Sequence, residues 1–176
     1  LRLREADARL AASKARLEEA AKRREEYLAR DATLAALFAD PAAPMATAEE
    51  LVAAMDAAGV DRAVTLGFGW TDQTLARQVN DYLLESASRY RDRLIPFCSV
   101  NPAWGDEAVR EAERCASLGA RGIGELHPDT QGFDLTSPEV MDPIMETVRQ
   151  QGMLLLTHSS EPVGHRYPGK GATTPD

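Results

Sequence analysis

The sequence predicts an α/β fold built on a parallel sheet, and three observations carry that prediction. Short apolar runs of strand character recur about every 30 residues, the repeat length of a βαβ unit. A helical stretch with recognisable caps lies between each pair of runs. Aromatic residues make up only 6% of a chain that is 44% hydrophobic, which suits alanine- and leucine-rich α/β layers better than a β-sandwich. The 176 residues can bury one core, and a single main domain is expected.

Residues 1–38 are expected to be a helical segment. Leu1 to about Arg30 is rich in Ala, Glu, Arg, Lys and Leu and contains neither Gly nor Pro. Glu5–Arg9, Glu18–Lys22, Glu19–Arg23 and Glu26–Arg30 are i,i+4 pairs in the favourable order, each worth about 0.2–0.5 kcal/mol. Leu3, Leu10 and Leu17 are seven apart, but Ala6, Ser13 and Ala20 fill the partner positions. That seam is too thin for a coiled coil, and a helix lying against a larger body is expected instead.

Asp40-Pro-Ala-Ala-Pro44 breaks the pattern, and residues 47–176 are expected to form the second domain. Thr47-Ala-Glu-Glu50 reads as a capping box opening a helix that Gly59 closes. Val60–Leu66 reads as a buried strand ending at Gly67-Phe-Gly-Trp70. A helix at about 72–90 leads to the strand Leu94–Val100 and to Asn101-Pro102. A helix at about 105–118, closed by Gly119, leads to Gly122–Leu126. The last helix takes Ser137 as N-cap and Pro138 at its first position, ends at Gly152, and leads to Met153–Thr157. Four such units fit an open doubly wound sheet or part of a (β/α)8 barrel. No strand is followed by Gly-x-Gly-x-x-Gly or a Walker-type loop, and Gly67-Phe-Gly69 is too short a pair to bind phosphates.

Charge and composition exclude several functions. The net charge of −8 argues against nucleic acid as partner. Residues 1–30 hold nine Lys/Arg against six Asp/Glu, or +3, leaving −11 for the rest, and the basic part reads as a solvated helix face. No apolar run approaches the roughly 20 residues of a membrane span, and the start shows no signal-peptide pattern. Cys98 and Cys115 lack metal or redox spacing and read as reduced core residues of a cytoplasmic protein.

Active sites of parallel α/β folds gather at the carboxyl ends of strands, and here those ends are polar. They offer Trp70 and Asp72, Asn101, Glu125 and His127, and His158, Ser159 and Glu161. His158 follows Met153-Leu-Leu-Leu-Thr157, so its imidazole is placed at a strand mouth, where a neutral nitrogen can hold a divalent metal. Glu125 ends an apolar strand and must be paired, solvated or metal-bound. His127, two residues on, points the same way by strand alternation. The loop from Ser159 to Gly171 brings His165, Arg166, Tyr167 and Lys170, suited to an anionic substrate. A serine nucleophile has little support without a Gly-x-Ser-x-Gly elbow.

Four stretches occur in a telling order: Glu50-Leu51 with Asp56 and Gly59-Val-Asp61; Arg93-Leu-Ile-Pro-Phe-Cys-Ser-Val-Asn-Pro102; Leu118-Gly-Ala-Arg-Gly-Ile-Gly-Glu-Leu-His-Pro128; and Leu154-Leu-Leu-Thr-His158. Together they resemble the amidohydrolase-related branch of the amidohydrolase superfamily over about residues 47–171. The resemblance implies a partial TIM barrel holding strands two to five, with a divalent metal, zinc, as cofactor. It implies His158 as the fifth-strand ligand and Glu125 as a fourth-strand ligand or metal-site carboxylate. His127, His165, Lys170, Glu161 and Trp70 then become substrate contacts, the substrate being a small molecule such as a carboxylic acid. The general-base Asp of the eighth strand and the His-x-His of the first are not found in this stretch. Because such a barrel usually takes about 250 residues, the chain is expected to be a fragment. The activity implied for its parent is hydrolysis of a C–O or C–N bond by metal-activated water. The alternatives are non-oxidative decarboxylation on the same site, or an inactive fragment serving as an interaction module. Open sheet edges make a homo-oligomer an expectation as well.

Overall fold

The computed structural model describes residues 46–160, 165 and 170–174, together with positions 11, 14, 15 and 22. The chain divides into two compact units, Leu1–Pro41 and Ala42–Asp176. The four described positions of the first unit are helical; the rest of the expected 1–38 helix lies outside the described residues.

In the second unit, helix α1 (Ala48–Ala58) begins with the expected capping box: Thr47 Oγ1 accepts from the Glu50 N–H at 3.2 Å, and the Thr47 N–H donates to Glu50 Oε2 at 2.8 Å. Gly59 closes it in the left-handed conformation, φ 68°. Strand β1 (Ala63–Thr65) is shorter than the expected Val60–Leu66. The Val60 N–H still closes α1 by donating to the Met55 carbonyl, and the Arg93 guanidinium takes the carbonyls of Val60 and Asp61 at 3.0 and 2.8 Å. Those peptide groups are spent before a ladder can use them.

Helix α2 (Gln73–Arg89) is N-capped by Asp72, whose carboxylate accepts from the Leu75 N–H at 2.7 Å. Strand β2 (Leu94–Cys98) stops two residues short of Val100, again for a hydrogen-bonding reason. The side-chain amide of buried Asn80 takes both the N–H and the carbonyl of Ser99, at 2.8 and 3.0 Å. A 3-10 turn (Pro102–Trp104) and helix α3 (Asp106–Ser117) follow. Strand β3 (Gly122–Leu126) has the expected bounds. A one-turn helix α4 (Pro128–Gln131), not expected, precedes α5 (Pro138–Gln151) and β4 (Leu154–Thr157).

The strands lie in the order β1-β2-β3-β4, every neighbour parallel. Sequential parallel order with a helix at each crossover is the arrangement of a barrel segment rather than of a doubly wound sheet, whose order reverses. The main core lies between this sheet and helices α3 and α5: Val100, Ala108, Ala112, Cys115, Ile123, Leu126 and Ile144 are all essentially inaccessible. Both cysteines are free and buried there. Contact with Cys98, then burial, pushes the Cys115 thiol far up, so it stays protonated. A smaller cluster of Ala48, Met55, Ala87 and Leu94 seats α1. No helix among the described residues is long and apolar enough to cross a membrane.

Asn80 also donates to Glu111 Oε1 at 2.9 Å, and Arg114 makes two further bonds to that carboxylate. Burial pushes Glu111 up, but the bonds from Arg114 and Asn80 and the Arg114 charge outweigh it and hold the carboxyl below its usual range. Truncating Asn80 to Ala strands two backbone groups of Ser99 in the interior and takes one bond from Glu111 Oε1, which keeps Arg114. A loss of about 2–4 kcal/mol is expected, read as a lower urea midpoint; an unchanged midpoint would show the network to be dispensable.

Candidate functional site

The carboxyl ends of β3 and β4 build the site. Gly124 has φ 149°, and a Cβ there would lie 2.7 Å from the Leu156 carbonyl oxygen; only glycine fits, so the two strands close tightly just before Glu125. Past the strand end, the His158 N–H donates to the Leu126 carbonyl at 2.6 Å. That bond extends the pairing by one residue and brings the two side chains together.

His158 Nδ1 lies 2.9 Å from Glu125 Oε1 and Nε2 lies 3.1 Å from Ser160 Oγ. An ionised carboxylate only accepts, so Nδ1 carries the proton and neutral Nε2 keeps its lone pair. The Ser160 hydroxyl then donates to Nε2 and accepts from the Gly171 N–H at 3.1 Å. His127 stacks on His158, ring centroids 4.3 Å apart and planes within 11°. Its Nδ1 accepts from the Thr130 N–H at 3.3 Å, making His127 the N-cap of α4. The side chains of His158 and Glu125 remain 27% and 31% exposed, enough for a ligand to reach them.

This pair suits one corner of a divalent-metal site. A carboxylate fixing the Nδ1–H is the usual support of a metal-binding imidazole; here Nε2 is taken by the Ser160 hydroxyl, which has to turn away before that nitrogen can hold an ion. Among the described residues no group of three His, Cys, Asp or Glu converges for a metal, so these residues supply two donors and not a complete set.

Gln131, buried on α4, holds the surroundings in place. Its Nε2 donates to the carbonyls of Trp70 at 3.2 Å and Val100 at 3.0 Å, and its Oε1 accepts from the His127 N–H at 2.8 Å. Asn101 Nδ2 donates to the Gln131 carbonyl at 3.0 Å. One amide thus ties the ends of β1, β2 and β3 together. Gly69 matters for the same reason: a Cβ there would come within 2.5 Å of the His127 Cβ. The Gly67-Phe-Gly69 pair lets backbone approach the site closely and packs rather than binds.

Asp129 fastens the loop beyond β4. Its Oδ2 accepts from the N–H groups of Ala172 and Thr173 and from the Thr173 hydroxyl, at 2.8, 3.3 and 3.1 Å. Ser160 completes the tie through its N–H, which donates to the Thr173 carbonyl at 2.7 Å.

Of the residues expected to act, the structure brings Glu125, His127 and His158 into one cluster. Trp70 is buried, with its ring edge-on to Phe68 at 5.7 Å and its Nε1 without a hydrogen-bond partner. His165 is exposed and Lys170 half-buried, whereas Glu161 lies outside the described residues. Gln131, Asp129 and Ser160 were not anticipated. The available signal was His127-Pro128, a capping residue before a proline at the first helical position, which marks a helix rather than a loop.

The sequence model of the Amidohydrolase family matches residues 6–173. Among curated proteins none matches. Among solved structures, 5-carboxyvanillate decarboxylase from Novosphingobium aromaticivorans, with bound manganese and 3-methoxy-4-hydroxy-5-nitrobenzoic acid, superposes with a TM-score of 0.60 at 26% identity. The match covers 84% of this chain and 48% of that one. The 5-carboxyvanillate decarboxylase of Sphingomonas paucimobilis gives 0.56 at 24% identity, over 76% and 40% of the two chains. A 2,6-dihydroxybenzoate decarboxylase from Rhizobium gives 0.52 at 24% identity, over 64% and 39%. The last two show the shared fold alone. The chain spans less than half the length of each of these structures.

The Asp129 tie is expected to be pH-dependent. The Ala172 N–H, opposed by some burial and joined by the hydroxyl and N–H of Thr173, holds this carboxyl below its usual range. A carboxyl depressed by folding stabilises fully above the unfolded value of about 3.9, and the contribution disappears as pH falls through the lower folded value. Amide NMR shifts of Ala172 and Thr173 should stay constant down to about pH 4 and move below it. Asp129→Asn should show the shifted positions at neutral pH; a transition centred above pH 4 would contradict this tie.

Proposed function

The chain belongs to the amidohydrolase family, and from there we propose that the whole enzyme is a metal-dependent decarboxylase of small aromatic or unsaturated carboxylic acids. The sequence alone put hydrolysis first. The similar solved structures are decarboxylases instead, one of them holding manganese and a substituted benzoic acid. Decarboxylation therefore becomes the main reading and hydrolysis the lesser one. The observation that carries the reading in this chain is the Glu125–His158 pair, an imidazole with a fixed Nδ1 proton at the mouth of a parallel strand.

The bound cation would polarise the substrate carboxylate and offset the charge that develops as carbon dioxide departs. Imidazole nitrogen suits zinc and carboxylate oxygen suits manganese, so the donor set accepts either, and the earlier preference for zinc gives way to a divalent cation. In this reading His158 offers Nε2, and Glu125 holds that ring in one tautomer and shares the positive charge. His127, stacked on His158, forms one wall of the substrate space. Lys170 and His165 meet the negative charge of the acid, and Trp70 supports the floor from beneath.

Replacing His158 with Ala in the full-length protein should remove the bound metal and reduce carbon dioxide release by about 10³-fold or more. Glu125→Gln should weaken metal affinity by about 10–100-fold, the usual effect of losing a partner that orients a ligand. Metal analysis by mass spectrometry beside a carbon dioxide assay on hydroxybenzoic acids reads both. A His158→Ala protein that kept its metal and rate would sink the assignment. Hydrolysis of an ester or amide with no carbon dioxide from any acid would return the reading to hydrolysis.

A further inference from the structure

At the opposite ends of the strands from Glu125 and His158 lies a groove of about 530 Å³. Arg62, Arg91 and Arg121 line it, with Leu84, Leu94, Pro96 and Leu118 among its apolar walls. Arg62 directly precedes β1, Arg91 sits in the turn between α2 and β2, and Arg121 directly precedes β3. Three successive helix-to-strand connections thus each bring one guanidinium to the same hollow.

These three arginines, like Arg77 on α2, differ from the other described arginines of this unit. Arg89, Arg93, Arg110, Arg114 and Arg149 all form ion pairs with carboxylates. None of the ion pairs among the described residues uses Arg62, Arg91 or Arg121; Arg91 donates only to the Ser88 carbonyl, at 3.3 Å. In a chain with 28 acidic residues against 20 basic ones, three arginines gathered without a carboxylate are conspicuous. Leu118, 57% exposed at the edge of this groove, is likewise left without cover.

We propose that this groove is a second binding site, for a small organic anion that joins a dianionic head group to an apolar body. Guanidinium forks match the oxygens of phosphate or paired carboxylates. The leucine and proline walls would cover one side of the ligand's apolar part. The site is independent of the decarboxylase reading, because it shares no residue with the Glu125–His158 cluster.

The test is calorimetric titration of the 176-residue chain, metal-free, with phenyl phosphate, with phthalate and with inorganic phosphate. The expected result is saturable binding of an organic dianion, weakened about tenfold or more by the paired substitution Arg62→Gln and Arg121→Gln and unchanged by His158→Ala. Preference between phenyl phosphate and phthalate identifies the head group, and weaker binding of inorganic phosphate shows the apolar part at work. All three arginines are exposed, so the variants should fold, and circular dichroism checks that they do; Arg91→Gln alone supplies a milder second variant. Three results would overturn the proposal: no saturation up to about 10 mM, affinity indifferent to all the arginine substitutions, or binding lost with His158→Ala, which would place the anion at the other end of the sheet.

Discussion

The geometry of the candidate site depends on one buried side-chain amide. Strand ends in a parallel sheet leave N–H and carbonyl groups without ladder partners, and burying them unpaired is costly. Gln131 answers for three strand ends at once, accepting from His127 and donating to Trp70 and Val100. Because its one-turn helix begins at His127, the residue that shields the strand ends also fixes the imidazole that stacks on His158. Position, satisfaction of the backbone and alignment of the two rings are therefore one arrangement rather than three.

The same device operates a layer below. Asn80 ends β2 by taking both backbone groups of Ser99, and it passes the restraint outward to Glu111 and Arg114. A strand that stops there frees Val100, Asn101 and Pro102 to turn, and Val100 and Asn101 then meet Gln131 or its backbone. Two side-chain amides, one on α2 and one on α4, thus determine where the second strand ends and where its chain goes next. Arg93 does the comparable work at the start of β1.

These three side chains also explain what could be read from the sequence and what could not. Helix starts and stops were legible because caps are local: Thr47 with Glu50, Gly59, Pro138 and Gly152 all act within a turn of their own helix. The parallel order was legible because hydrophobic runs alternate with helices, and β3 kept its expected bounds because its apolar run and its pairing coincide. The ends of β1 and β2 were not legible, since Arg93 and Asn80 act across about 20 to 30 residues of chain and leave no local pattern. In the site, Glu125 and His158 stood out because a charged or titratable group after an apolar strand is costly unless it is used. Gln131 and Ser160 did not, being uncharged residues of common type whose importance lies entirely in whom they meet. Gly69 was seen and set aside as too short a pair for a phosphate loop; that its missing Cβ makes room for His127 depends on a residue 58 positions away and left no local pattern.

The sheet separates its chemistry by direction. At the carboxyl ends, a carboxylate is brought against an imidazole, an arrangement that favours a cation once the Ser160 hydroxyl leaves Nε2. At the amino ends, three connections each place an arginine in a groove whose lining holds no carboxylate, an arrangement that favours an anion. Strand direction alone puts the two sets apart, because every strand runs the same way and every helix returns the chain to the same end. A substitution at one end can therefore change local charge without moving the groups at the other, provided that the amide ties between the strands remain. That condition rests on Gln131 and Asn80, which touch neither a candidate metal nor a candidate anion and yet hold the strand ends in register with their surroundings.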